Sequence, residues 1–304
     1  MSSSSELPRY SLSVTSTPVR NPLLHVALHD PARPEAPGLE CLGGDFGDEY
    51  WAADDQRLTA VVLNHPDPPD ADAAIAAEAL YCRLIDSLRD SDYPYPLRLW
   101  NYFPAINQGG GDQERYRRFC IGRGRALEAA GLNDAQMCAA TAIGGLRPEM
   151  RLIALCGRDP GVSIENPRQV SAWNYPRRYG PRQPAFARAT ALVLEGGRIG
   201  LLVSGTASVV GHATTHPHDA LAQTDEAASN LDALLAHASG AMNRPTLAQF
   251  NDASLARVYV RHAEDWPAVR ERLRQRWPTL QLCGLVGDIC RADLMVEIEA
   301  WHAA

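Results

Sequence analysis

The sequence predicts an α+β protein of two similar domains, each a mixed β-sheet with helices packed on one face. Three observations lead there. The order strand, helix, strand, helix, strand, strand occurs twice along the 304 residues. Segments of the two halves line up: LRLWNYFPAIN (97–107) with LARVYVRHAED (255–265), and CAATAIGGLRPEMRLIALC (138–156) with CGLVGDICRADLMVEIEAW (283–301). The composition, 45% hydrophobic and 21% charged, is that of a globular chain long enough for two domains.

The N-terminus, MSSSSELPRY, lacks the basic and apolar regions of a signal peptide and reads as disordered over residues 1–20. The first domain is expected over 21–160 and the second over 161–304, with the boundary inside 157–185. Arg57–Asn64 reads as a strand and Asp70–Ser87 as an amphipathic helix. Leu97–Phe103 is a strand, Gln113–Ala130 a helix, and Gln136–Ile143 and Met150–Cys156 two further strands. In the second half Ala189–Leu194 and Ile199–Ser204 form a strand pair. Asp219–Ala238 is a helix, with Asp219 as N-cap after Pro217 and Leu221, Ala228, Leu231, Leu234 and Leu235 on one face. Leu255–His262 is a strand, Trp266–Arg276 a helix, and Leu282–Gly287 and Leu294–Trp301 close the chain as strands.

The net charge of −7 argues against a general nucleic-acid or anionic-membrane binder. No apolar run approaches the ~20 residues that span a bilayer, so a cytoplasmic protein is the default expectation. The seven cysteines are odd in number and widely spaced, and no pair is CxxC, so neither a disulfide framework nor a zinc site is signalled. The sequence holds no lysine, and all 29 basic residues are arginine. Schiff-base and phosphate-loop lysines are thereby excluded. Any fixed cation is a guanidinium, which suits bidentate recognition of carboxylates.

Two places carry candidate chemistry. Glu165–Thr190 sets Arg168, Arg177, Arg178, Arg182 and Arg188 among Trp173, Tyr175, Tyr179 and Phe186. Prolines at 167, 176, 181 and 184 bar a regular helix through it. Such a segment suits a small, planar, anionic molecule, although a solvated linker has the same composition. The second place is the last strand, where alternation puts Glu297 and Glu299 on one face and Val296, Ile298 and Ala300 on the other. Two glutamates there either face water or are held for a purpose.

LRLWNYFPAIN, ERYRRFCIGRGRAL (114–127), residues 165–190, LLVSGTASVVGHATTHPHD (201–219), QTDEAASNLDALL (223–235) and CRADLMVEIEA (290–300) together resemble the chorismatase family, from about Asn21 to Ala304. The second half is also similar to the enamine/imine deaminase superfamily, through SGTASVVG, QTDEAASNL and VEIEA. The resemblance implies cleavage of chorismate to pyruvate and a ring product, with no metal, cofactor or obligatory protein partner. Glu297 then stands at the family's catalytic glutamate, the acid that protonates the enolpyruvyl methylene. Cys290 marks members that make hydroxybenzoate, and the bifunctional type makes both 3- and 4-hydroxybenzoate for pigment and ubiquinone synthesis. Arg118 and Arg123, with Arg168 and Arg188, are implied for the substrate carboxylates. Trp173, Tyr175 and Tyr179 are candidates for ring contacts, and Ser204, Gly205, Thr206 and Ala207 for close contacts.

Other readings are weaker on the residues. His212, His216 and His218 fit no zinc spacing, and GGG at 109–111 lacks a phosphate-binding signature. A deaminase of the superfamily would carry an arginine where this chain has Gln281-Leu282-Cys283. A hydrolytic chorismatase releasing a dihydroxycyclohexadiene carboxylate, and a non-catalytic metabolite sensor, are the remaining alternatives.

Overall fold

The computed structural model describes residues 58–145, 147–194 and 197–304, with four short strands before them. Strands β1 (Leu12–Val14) and β2 (Val26–Leu28) pair with each other. Of residues 1–20 only β1 is described, so the expected unordered start otherwise lies outside the described residues. The first half continues with β3 (Glu40–Cys41), β4 (Glu49–Ala52), β5 (Leu58–Pro66), α1 (Ala73–Arg89), β6 (Tyr95–Pro104), α2 (Arg115–Ala129), β7 (Ala139–Gly145) and β8 (Glu149–Gly157). The second holds β9 (Val162–Ile164), β10 (Ala189–Val193), β11 (Ile199–Ala207), the small pair β12 (Val209–Val210) and β13 (Ala213–Thr214), and α3 (Ala220–Ala241). It ends with β14 (Leu255–Val260), α4 (Trp266–Arg276), β15 (Gln281–Val286), β16 (Asp288–Ile289) and β17 (Val296–Ala303).

The helix starts follow local chemistry. Pro68 and Pro69 precede α1, and the Asp72 side chain then accepts the Ala74 N–H at 3.0 Å as its cap. Asp219 caps α3 by accepting from Leu221 and Ala222. The buried face of α3 is Ala227, Ala228, Leu231, Leu234, Leu235 and Ala238. Leu221 departs from the expected apolar face: it sits in the first turn and is 36% exposed. The α1–α2 crossing is close because Gly122 has no side chain; a Cβ there would stand 2.0 Å from the Ala74 carbonyl oxygen.

The two sheets repeat one plan. One runs β7-β6-β8-β5-β4-β3 and the other β15-β14-β17-β11-β10-β9, and the β6/β7 and β14/β15 pairs are the parallel ones. Helices α1 and α2 cover the outer face of the first sheet, and α3 and α4 that of the second. The inner faces pack on each other, with Val62, Trp100, Ile143 and Ile153 against Ala207, Tyr259, Leu285 and Leu294. The aligned lettering is one residue out of structural phase. Inward-facing residues are Trp100 and Tyr102 in β6 but Tyr259 in β14, and the Tyr102 and Tyr259 hydroxyls meet at 2.9 Å. Opposite Tyr259 in the neighbouring strand stands Glu297; opposite Tyr102 stands Arg151.

The sequence did not reveal β16. It leaves the second half to pair with β7, Asp288 opposite Gly144 and Ile289 opposite Ile143, and so forms the edge of the first sheet. A two-residue strand has no periodicity to read. No helix among the described residues is long and apolar enough to cross a membrane.

Candidate active site

Alternation along β17 sends Val296, Ile298 and Ala300 into the core under α3 and α4, and Glu297 and Glu299 toward the first sheet. Both glutamates are buried, at 5% and 3% exposure, because a second sheet covers the face that would otherwise meet water. Their environments differ sharply. Glu299 accepts from Arg257 Nε at 2.7 Å, Arg98 Nη2 at 2.6 Å, Thr141 Oγ1 at 2.6 Å and Tyr259 Oη at 3.2 Å. Trp100 Nε1 lies 3.1 Å from both its oxygens, with Arg98 and Arg257 over the indole ring. Burial pushes its carboxyl up, but Arg257 and Arg98, helped by Thr141 and Trp100, outweigh burial and hold it below its ordinary value.

Glu297 has no hydrogen bond to any described residue. Burial, and then the negative charge of Glu299, push its carboxyl up to about 8, against the opposing pull of Arg98 and Arg188. At neutral pH one carboxylate of the pair is ionised and the other holds its proton, the division of labour that acid catalysis needs.

The sheet bends to make room for this acid. The β11–β17 register shifts between Val203 and Thr206, and Gly205 lies in the irregular stretch. A Cβ on Gly205 would stand 1.9 Å from Glu297 Oε1. Glycine at 205 was expected to let a ligand approach the main chain; what lies against it is the glutamate itself.

In front of Glu297 opens a cavity of about 400 Å3 between the halves, within the usual range for small-molecule sites. Gly205, Ala207 and Thr141 line it beside the acid; Tyr116, Arg117 and Arg123 come from α2. Tyr175, Tyr179, Phe186 and Arg188 come from the Arg/aromatic segment, and Cys290 and Arg291 from the turn after β16. Arg123 is 2% exposed, its Nε has no partner, and it pairs with no carboxylate among the described residues. Arg188 donates through Nη2 to the Val170 carbonyl and to Tyr175 Oη, each at 2.8 Å, and its Nε is also unpartnered. Buried guanidinium N–H groups without acceptors call for an anion. Burial, and then the Glu297 carboxylate, push the Cys290 thiol well up, so it stands as a neutral S–H.

The structure brings together Glu297, Cys290, Arg123, Arg188, Tyr175, Tyr179, Gly205 and Ala207. It does not bring in Arg118, Arg168, Trp173, Ser204 or Thr206. Five residues of α2 separate Arg118 from Arg123, about 140° of helix rotation, and Arg118 binds Asp72 instead, Nε to Oδ1 at 2.9 Å. Arg168 is taken by Glu226 at 2.5 Å and Asn230 at 2.7 Å. Trp173 lies in a 3-10 turn, Ala172–Asn174, away from the cavity lining. Ser204 Oγ donates to the Ala187 carbonyl and accepts the Ala140 N–H, and Thr206 Oγ1 donates to the Ser204 carbonyl. These two hydroxyls hold the main chain.

Sequence reasoning missed Tyr116, Thr141 and Arg291. Arg291, whose guanidinium lies 4.2 Å from the Tyr179 ring centre, follows Cys290 directly, and that adjacency was a usable signal. Thr141 lies in a strand of small residues, and nothing in the sequence marks it. Among the described residues no group of three or more His, Cys, Asp or Glu side chains is placed to hold a metal ion.

Comparison with known proteins finds relatives that cover most of the chain. Residues 42–156 match the family model described as chorismatase FkbO/Hyg5-like, N-terminal. The chain is 40% identical over 241 residues to a 3-hydroxybenzoate synthase of Streptomyces hygroscopicus, covering 76% of this chain and 70% of that protein. It is 38% identical over 261 residues to a chorismatase of the same organism, covering 83% and 74%. A chorismatase crystal structure superposes with a TM-score of 0.75 at 33% identity, over 86% of this chain and 78% of that one.

Proposed function

This chain belongs to the chorismatase family, and we propose that it cleaves chorismate into pyruvate and a hydroxybenzoate, with Glu297 as the acid. The observation that carries the reading is a buried, proton-bearing carboxyl on the wall of a cavity lined by arginines. Chorismate is an enol ether with two carboxylates. Glu297 gives its proton to the terminal methylene carbon, and the electron pair of that double bond forms the new C–H bond. The ether carbon becomes an oxocarbenium-like cation, which the newly ionised Glu297 and the fixed charge of Glu299 stabilise. The bond from the ring carbon to the ether oxygen then breaks, and its electron pair completes the pyruvate carbonyl. The ring cation left behind loses a ring proton to become aromatic, which makes good the proton that Glu297 gave.

The methylene lies one carbon from the carbon that bears the enolpyruvyl carboxylate. Arg188, the arginine whose charge Glu297 feels together with that of Arg98, is placed to hold that carboxylate. Arg123, across the cavity on α2, then takes the ring carboxylate, with Tyr175 and Tyr179 beside the ring. Chorismate and the sum of hydroxybenzoate and pyruvate have the same atoms, so this route consumes no water; the hydrolytic alternative consumes one. The ether oxygen leaves with pyruvate in both cases, and 4-hydroxybenzoate keeps the ring hydroxyl where it stands. For 3-hydroxybenzoate that hydroxyl oxygen closes onto the neighbouring ring carbon as the ether oxygen leaves, and its former C–O bond opens before the ring loses a proton. Support for 3-hydroxybenzoate comes from the Streptomyces synthase and from a neutral Cys290 thiol beside the acid. We extend the reading to a bifunctional enzyme that also makes 4-hydroxybenzoate, supplying pigment and ubiquinone synthesis.

Incubating the purified protein with chorismate tests this directly. Pyruvate and hydroxybenzoate in equal amounts are expected by enzymatic assay and chromatography; absence of pyruvate defeats the proposal. Cys290→Ala is expected to change the ratio of ring products more than the rate of chorismate loss, read by the same chromatography. An unchanged product pattern removes Cys290 from the mechanism.

A further inference from the structure

Thr141 stands where the two halves meet the acid. It belongs to β7 of the first sheet and lines the cavity. A hydroxyl has one proton to give and two lone pairs to fill, and here all three are used. Thr141 Oγ1 donates to Glu299 Oε2 at 2.6 Å, accepts the Gly205 N–H at 2.9 Å, and accepts from Arg98 Nη2. Its own carbonyl accepts from Asn101 Nδ2 at 3.1 Å, which fixes the strand beneath it. The residue borders the cavity, yet its hydroxyl has no capacity left for a ligand.

The hydrogen bond to Gly205 reaches the stretch between Val203 and Thr206 where the β11–β17 ladder loses its register. With the ladder interrupted, Thr141 supplies the acceptor that the Gly205 N–H needs. The Glu297 carboxyl lies against that same glycine. We propose that Thr141 is the positioning residue of the acid: its hydroxyl ties the Gly205 main chain to the fixed Glu299 carboxylate and so sets where the Glu297 carboxyl stands. The inference rests on Glu297 being the acid.

The test compares Thr141→Val, which keeps shape and removes the hydroxyl, with Thr141→Ser, which keeps the hydroxyl. Steady-state kinetics on chorismate are corrected for folded fraction by thermal melting. Thr141→Val is expected to lower kcat on the order of 10- to 100-fold, the scale of a small misplacement, with KM within about threefold. Thr141→Ser is expected to return kcat to within about threefold of wild type. A Thr141→Val kcat within about twofold of wild type overturns the proposal. So does a raised KM at unchanged kcat, which would make Thr141 a substrate contact, and so does a Ser variant as slow as Val. If Thr141→Val does not fold, Thr141→Ala takes its place against Ser with the same readings. Glu297→Gln is run alongside: an active Glu297→Gln sinks the acid assignment, whereas an inactive one beside a normal Thr141→Val sinks only the positioning role.

Discussion

Glu297→Gln is expected to lower kcat for chorismate cleavage by ~10²–10⁴-fold or more, the range general acid catalysis supplies. The amide keeps the shape and has no proton to give. The wild-type enzyme carries a second signature of the same group. Its carboxyl titrates at about 8, so activity is expected to hold through neutrality and to fall as pH rises through about 8 and the proton is lost. Stability moves with it. The ordinary carboxyl value is 4.5 and the folded value about 8, so between these the unfolded chain ionises while the folded one does not. Folding stability from this group therefore declines as pH rises across that window and levels off above it. Glu297→Gln removes the decline, and its melting temperature at pH 8 is expected to exceed that of wild type. Pyruvate-release kinetics and thermal melts from pH 5 to 9 check both halves. A Gln variant with near wild-type turnover removes Glu297 from the acid role.

Gly205→Ala is the second large effect. The added methyl would stand 1.9 Å from Glu297 Oε1 and 2.7 Å from its Cδ, closer than any atoms settle. The carboxyl has to leave its place, because the β11 main chain is held by the Thr141 hydrogen bond and the β17 ladder. Displacement by an ångström or more costs about 10²-fold in rate, so kcat is expected to fall by at least that much while the arginines keep KM near wild type. Initial-rate kinetics on folded protein decide it; a Gly205→Ala enzyme with normal kcat shows that the acid does not act from this position.

Much of the fold was open to reading because its elements are long and periodic. Trp266–Arg276 has the predicted limits, and Asp219 caps its helix as expected. What escaped was set by tertiary pairing: β9 and β16 are two or three residues long, and their strand character comes from a neighbour. The site divides the same way. Glu297, Cys290 and Arg123 stand out by residue type within distinctive motifs. Arg118 carries the same charge as Arg123, and only the helix rotation and the competing Asp72 separate them. Ser204 and Thr206 flank Gly205 in sequence, yet their hydroxyls are spent on carbonyls that only the folded sheet brings near.

The edge strand β16 has a consequence for how this chain can be divided. It seals the open side of β7, and Cys290 is the next residue after it. Along that border β7 depends on the second half at both ends, on β16 at Ile143 and Gly144 and on the bridge from Ala187 at Ala139. A chain severed at its midpoint would leave the front half with that border unpaired.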